Sequence, residues 1–200
     1  MIIIGLTGNI GCGKSSLSAI FIQEGIDIVD ADIVARQIFD DKKLLNEVFE
    51  TFGPTIKNED NTLNRKALGS IVFNDDKELV KLNNLTHPAI RKKILNEIEN
   101  LRVENKKIVV LDAALLIESD YLKHIDKLLL VKCDEEVQIE RIKNRDNCTR
   151  EEAISRIKSQ MSQSEKEKYA DYIIDNTGTF DELKEKASIF MNYIKENCSE

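Results

Sequence analysis

Eight consecutive residues, Gly8-Asn9-Ile10-Gly11-Cys12-Gly13-Lys14-Ser15, fit the spacing G-x-x-x-x-G-K-[ST] without a gap. That spacing has a chemical purpose. A polyphosphate must be wrapped closely by backbone N–H groups, and Cβ atoms block the approach. Glycines permit the backbone angles that turn successive N–H groups inward. A helix starting at the end of the loop adds its positive N-terminal end. Lys14 then places an ammonium on the β- and γ-phosphates, and the Ser15 hydroxyl ligates Mg²⁺. The loop from Gly8 to Ser16 is therefore the expected site of the ATP phosphates. Chance alone would produce such an octet roughly once in a hundred chains of this length. An apolar run before it and an amphipathic stretch after it make chance a poorer account still.

Other residues are candidates by type and place. Asp112 closes the apolar run Ile108-Val109-Val110-Leu111. A carboxylate there is placed to hold Mg²⁺ or its water shell, rather than merely to end a turn. Asp32 stands in Asp30-Ala31-Asp32 at the end of another apolar run, four residues before Arg36. If a helix begins there, Asp32 and Arg36 share a face. Two readings of Asp32 stand side by side: a base that takes a proton from an acceptor hydroxyl, and a helix cap. Arg141 and Arg145 are also four apart. Such a face can close over phosphates as a lid and neutralise developing charge, against the plainer reading of solvated arginines paired with Glu135, Glu136 or Glu140. His87 before Pro88 reads as a helix boundary, and Asn176 beside Thr177-Gly178 as a turn residue. Cys12 lies beside Lys14, an environment in which a thiol can be acidic and reactive.

The elements that must position these residues follow from periodicity. Ile2 to Thr7 is a continuous apolar run ended by glycine, the pattern of a buried parallel strand. Leu17, Ile20 and Phe21 recur at helical spacing until Gly25, and Ile26 to Val29 is a second strand, which completes a βαβ unit. From Ile33 to about Val103 the pattern is helical, with stops at Gly53-Pro54 and His87-Pro88. Strands follow at 108–111, 127–132 and 172–175. Between the last two lie charged helices, one over about 135–144 and one opened by a Thr149–Glu152 capping box; Ser162–Glu165 and Thr179–Glu182 repeat that start signal. The alternation predicts an α/β fold with a parallel sheet. In such sheets ligands bind beyond the carboxyl ends of the strands, where the glycine loop, Asp32 and Asp112 are expected to meet.

Composition narrows the class. Two hundred residues fit one compact domain with small inserted pieces. A net charge of −7 argues against nucleic acid as a partner and requires local positive groups for any anionic substrate. The N-terminus lacks the basic region and cleavage site of a signal peptide, and no apolar run approaches the ~20 residues of a bilayer span. No membrane is implied, and a cytoplasmic location is expected. Cys12, Cys133, Cys148 and Cys198 show no CxxC spacing, so neither a zinc knuckle nor a redox pair is read, and four reduced thiols are expected. Oligomeric state is not encoded; a monomer is the working expectation.

Taken in order, these patterns resemble the dephospho-CoA kinase family over nearly the whole chain. The loop Gly5 to Ser15 is joined by Val29-Asp30-Ala31-Asp32 with Ala35-Arg36, and by Asn64-Arg65 with Leu68 and Phe73. His87-Pro88-Ala89-Ile90 follows, then Leu111-Asp112 with Leu115-Leu116 and Glu118. Gln138-Ile139-Glu140-Arg141, Arg145-Asp146 and Gln160-Met161 resemble a lid, and Ala170-Asp171 through Gly178 resembles the segment near an adenine pocket. Departures are Asn9 for a common glycine, Cys12 for serine, Ser16 for threonine and Ala114 for proline. Asparagine at 9 tolerates the positive φ that a glycine there would supply. The resemblance implies a P-loop NTPase-type sheet flanked by helices, with a core (1–31, 104–132, 170–200), a helical substrate-binding insertion (32–103) and a small helical lid (133–169). It implies transfer of the γ-phosphate of ATP, with Mg²⁺, to the ribose 3′-hydroxyl of dephospho-CoA. Asp32 would be the base, with Lys14 and Arg141 also catalytic. Arg36, Arg65 and His87 would lie on the dephospho-CoA side, Arg141 and Arg145 would grip ATP phosphates, and Asn176 would lie near the adenine. The runner-up is another small-molecule or nucleoside P-loop kinase. A GTPase is ranked lower for want of an NKxD motif, and an ATP-sensing adaptor would have no use for a base.

Overall fold

The computed structural model describes residues 1–197, so Cys198 lies outside the described residues. Strand β1 (Ile2–Gly8) runs into the glycine loop, helix α1 (Lys14–Gln23) leaves it, and β2 (Asp27–Asp30) returns. Gly25, at φ +78°, ends α1 in a left-handed turn that a side chain would strain. Four helices follow: α2 (Ala31–Gln37), α3 (Lys42–Phe52), α4 (Arg65–Val72) and α5 (Asp76–Val103). The chain then makes β3 (Ile108–Asp112), β4 (Lys127–Lys132), α6 (Glu135–Asp146), α7 (Arg150–Lys158), α8 (Gln163–Glu167), β5 (Tyr172–Asp175) and α9 (Phe180–Asn197).

The strands form one parallel sheet in the order β2-β3-β1-β4-β5. Register brings Asp30 opposite Asp112, Leu6 opposite Asp112, and Gly8 opposite Val131. The carboxyl ends of β1, β2, β3 and β4 therefore share one rim. Burial explains the uninterrupted apolar runs in β3 and β4, because a parallel strand in the middle of a sheet faces packed side chains on both sides. On one face Leu17, Ile20 and Phe21 of α1 meet Leu183, Ala187, Phe190 and Ile194 of α9 over Ile4, Leu6, Leu129 and Val131. On the other face the missing Cβ of Gly5 leaves room for Leu116 and Ile125, whose methyl carbons would lie 2.8 and 2.6 Å from it.

The chain forms two compact units: the first thirty residues with those from Asn100 onward, and Ala31–Glu99. The second unit has its own core, in which Val48, Ile56, Leu68 and Val72 are buried against Phe49, Phe52, Leu79 and Leu82. The helix boundary expected at His87-Pro88 is absent. α5 runs through it from Asp76 to Val103 with Pro88 inside. Proline removes the N–H that would reach the Asn84 carbonyl and disfavours a helix by about 3 kcal/mol. Hydrogen bonds along the rest of a 28-residue helix, and the burial of Thr86, Ile94 and Ile98, outweigh that local cost. Gly53, at φ +83°, does stop α3, as the sequence predicts. The capping boxes at Thr149–Glu152 and Ser162–Glu165 are both formed. Among the described residues no helix is long and apolar enough to cross a membrane.

Leu129 is fully buried in β4, between β1 and β5. Leu129→Ala should lower stability by about 2–5 kcal/mol through lost transfer energy and the cavity left behind. Urea unfolding followed by circular dichroism checks this, and an unchanged midpoint would contradict the assigned core.

Candidate active site

The glycine loop has few side chains to hold its own shape, and its neighbours supply the hold. Gly11 and Gly13 adopt φ +81° and +91°. A Cβ on Gly11 would lie 2.9 Å from the Gln138 carbonyl oxygen and from Ile142 Cγ1; one on Gly13 would lie 2.1 Å from Asn176 Nδ2. These two glycines thus meet both needs, left-handed backbone and close approach. Gly13 is the residue before α1, and no side chain caps that helix. Its N-terminal end is thereby left to an anion. Asn9 is not among the residues with positive φ, so the role expected for it is corrected: the left-handed turns fall on the glycines. Asn9 instead donates its Nδ2 to the Met161 carbonyl at 2.8 Å.

Three glutamines and one asparagine complete this outer shell. Gln160 Oε1 accepts the Ile10 N–H at 2.9 Å, and Gln138 Nε2 donates to the Ile10 carbonyl at 2.6 Å. Gln163 Oε1 accepts the Cys133 N–H at 3.0 Å, and its Nε2 donates to the Cys133 carbonyl at 3.0 Å. Asn176, buried at the end of β5, donates Nδ2 to the Cys12 carbonyl at 2.8 Å, and its own N–H reaches the Lys132 carbonyl. The Asn176 side chain thus holds the loop backbone through Nδ2. Ile10 also packs against the small core of α6 and α7, formed by Ile139, Ile142 and Ala153. In the sequence, Gln138 and Gln160 stand out only as part of the lid resemblance and Gln163 not at all, because the partners of all three lie far away along the chain.

Below the loop, Lys14 Nζ pairs with Asp112 Oδ1, and Ser18 Oγ lies 2.5 Å from Asp112 Oδ2. Asp112 is 2% exposed. Burial pushes its carboxyl above the usual range, opposed by the Lys14 ammonium and the Ser18 hydroxyl. Ser15 is exposed on the first turn of α1. The donors near this rim are hydroxyl and carboxylate oxygens: Ser15, Asp112, and Asp30 opposite Asp112 in register. Such hard oxygens suit Mg²⁺, which takes one or two protein ligands and completes its shell with phosphate and water. No group of three or more His, Cys, Asp or Glu that could hold a metal occurs among the described residues.

The two arginines of α6 separate. Arg141 is half-buried; Nη2 reaches the Gly178 carbonyl at 3.5 Å, and Nη1 is buried without a partner among the described residues. Arg145 instead grips Asp146, with Nε to Oδ1 at 2.7 Å and Nη2 to Oδ2 at 3.0 Å, and Arg156 joins the same carboxylate. Arg150 holds Glu136.

In the second unit α2 begins at Ala31, which puts Asp32 inside its first turn and Asp30 before it. Asp32 and Arg36 are exposed, four apart on that helix. Arg65 donates Nη2 to the Arg36 carbonyl at 2.8 Å and stacks over the Phe39 ring at 5.2 Å. Arg36 and Arg65 are thus neighbours. His87 lies on α5 beside Pro88, in a groove of about 590 Å³ that Asn84, Arg91 and Lys92 also line.

Lys166 was not singled out by the sequence, because it stands in the run Glu165-Lys166-Glu167-Lys168, which reads as a solvated face. Its side chain is fully buried; Nζ donates to the Ala114 carbonyl at 2.7 Å and lies 3.2 Å from Glu118 Oε1. It bolts α8 to the segment that follows Asp112.

Comparisons with known proteins agree on one family. A family profile described as dephospho-CoA kinase matches residues 2–182. The dephospho-CoA kinase of Lactobacillus johnsonii is 41% identical over 192 residues, 96% of this chain and 97% of that protein. The one from Halalkalibacterium halodurans is 44% identical over 182 residues, 90% of each chain. Among solved structures, dephospho-CoA kinase from Campylobacter jejuni aligns with a TM-score of 0.77 at 33% identity, covering 97% of both chains.

Lys166→Met keeps the apolar stem and removes a hydrogen bond made by a charged group. It should lower stability by about 1–3 kcal/mol. A lower urea midpoint with an unchanged slope is the expected outcome; no shift would show that the ammonium holds nothing.

Proposed function

The chain belongs to the dephospho-CoA kinase family, and from that premise we propose how its residues share the work of phosphorylating dephospho-CoA with ATP to give coenzyme A and ADP. The reading rests on one constellation: an externally braced glycine loop beside a lysine paired to a buried strand-end carboxylate.

The backbone N–H groups from Gly11 to Ser16 and the N-terminus of α1 surround the β- and γ-phosphates. Lys14 exchanges part of its contact with Asp112 for phosphate oxygens. Arg141, whose Nη1 has no partner among the described residues, adds a second positive charge. Asn176 holds the Cys12 carbonyl, and so the loop, on the side where the nucleotide lies. Arg145, already bonded to Asp146, acts through that pair as a support of α6 rather than on phosphate. Mg²⁺ would be held by Ser15 and Asp112, and when bound it supplies charge neutralisation between the phosphates.

The acceptor is the ribose 3′-hydroxyl. β2 ends at Asp30, in register with Asp112, and Asp32 follows two residues on. Asp32 accepts the hydroxyl proton as the oxygen bonds to the γ-phosphorus and the bond to ADP breaks. Little covalent help is needed beyond this, because the transition state is loose and positioning with charge supplies most of the barrier reduction. Arg36, Arg65 and His87 hold dephospho-CoA; a pyrophosphate-bearing acceptor needs such cations on a chain whose net charge is −7. We place the reaction in the cytoplasm, where ATP is available.

Asp32→Asn should keep ATP affinity and lose turnover by roughly 10²- to 10⁴-fold. Turnover near that of the parent would remove Asp32 from the base role. Lys14→Ala should lose both turnover and ATP affinity, measured by ADP release and by calorimetry. With purified protein and Mg-ATP, ADP release is expected with dephospho-CoA and not with a panel of nucleosides and sugars; equal rates across the panel would overturn the acceptor assignment.

A further inference from the structure

Cys12 sits in the glycine loop and Cys133 directly after β4, 121 residues apart, yet their Sγ atoms lie 3.5 Å apart. Spacing along the sequence shows no redox pair, because these two thiols are brought together only by the fold. The pairing follows from the sheet: β1 and β4 are neighbours, and Gly8 is in register with Val131, so the segments leaving the two strands run side by side. Both thiols are free and buried. Their environments differ. Contact with Cys133, then burial, pushes the Cys12 thiol far up, away from the acidic thiol that its place beside Lys14 would allow, and Lys14 itself is paired with Asp112. Contact with Cys12 and the charge of Arg141 pull Cys133 down, against its burial. A low thiol beside a high one is the arrangement of a nucleophile and its resolving partner. Cys133 also lines a cavity of about 650 Å³ with Asp134, Gln138 and Gln163, which gives a small oxidant a way in.

We propose that Cys12 and Cys133 form a reversible disulfide under hydrogen peroxide, and that this bond switches off nucleotide binding by the glycine loop. Cys133 sulfur attacks the peroxide O–O bond, gives Cys133 sulfenic acid and releases one water. Cys12 sulfur then displaces the sulfenic oxygen as a second water and closes the S–S bond. Two thiols are oxidised, one peroxide is reduced, and the two thiol protons leave in the waters. Closure must bring the sulfurs from 3.5 Å to about 2.0 Å. Cys12 cannot follow freely. Its N–H donates to the Asn9 carbonyl at 3.0 Å and its carbonyl accepts Asn176 Nδ2 at 2.8 Å. The movement is therefore taken up by the loop between Gly11 and Gly13, whose N–H groups must face phosphate. The inference requires only that this loop binds ATP, not that the acceptor is dephospho-CoA.

The test uses the full chain, hydrogen peroxide and a thiol-blocking quench. Trypsin without reductant should yield Met1–Lys14 linked to Cys133–Arg141, lighter by two hydrogens than the separate peptides. ATP affinity by calorimetry should fall by roughly tenfold or more, because a distorted loop no longer presents its amides together. Dithiothreitol should restore both. Cys133→Ser should keep basal turnover and stay active after peroxide, while Cys148→Ser should respond like the parent chain. Oxidation confined to separate peptides, a linkage to Cys148, or a Cys12–Cys133 disulfide that leaves ATP affinity unchanged would each overturn the proposal.

Discussion

A loop built from glycines can wrap a polyphosphate only if something else fixes its shape. Glycine forfeits more conformational freedom on folding than any other residue, so a free loop would spend binding energy on ordering itself. In this protein the bracing comes from side chains far along the chain. Gln138, Gln160 and Asn176 hold backbone groups of Ile10 and Cys12, and Asn9 is tied to Met161. These contacts tie α6, the segment between α7 and α8, and the residue after β5 to the glycine loop. Changes in those segments should then be felt as changes in nucleotide affinity, although few of their residues would touch nucleotide.

Electrostatics obey a similar economy. An acidic chain that uses ATP needs cations held close together at its site. Lys14 is held on Asp112, whose burial would be costly without the ammonium and Ser18 beside it. The pair holds the Lys14 side chain in place beside the loop. Arg141 has one nitrogen bonded to the Gly178 carbonyl and one without a partner among the described residues, a buried deficit that an incoming anion would relieve. Arg145 shows the contrast. Four residues along the same helix, it is neutralised by Asp146, and helical spacing alone could not tell the two apart.

Much of the molecule is legible in its residue order. The octet Gly8 to Ser15, the strand ends at Asp30 and Asp112 and the capping boxes are local signals, set by backbone angles, two-residue or 3.6-residue periodicity and short-range hydrogen bonds. Those causes act within a few residues, so the five strands, α1 and the starts of α7 and α8 lie where the sequence places them. The ordered series of motifs carried the family as well, and the comparisons bear it out. Pro88 shows where local rules fail: a penalty confined to one turn yields to the cohesion of a long, partly buried helix.

What the tertiary structure alone decided is which distant groups meet. The sheet order puts β1 between β3 and β4, and through that Lys14 reaches Asp112 and Cys12 reaches Cys133. Polar residues in charged helices, Gln138 and Lys166 among them, turn out to be buried braces, because burial depends on partners that lie 128 and 52 residues away. Sequence fixes what each segment prefers by itself; side-chain contacts across the sheet and its helices are settled only when the whole core closes, since that is when water leaves and each polar group must find its partner.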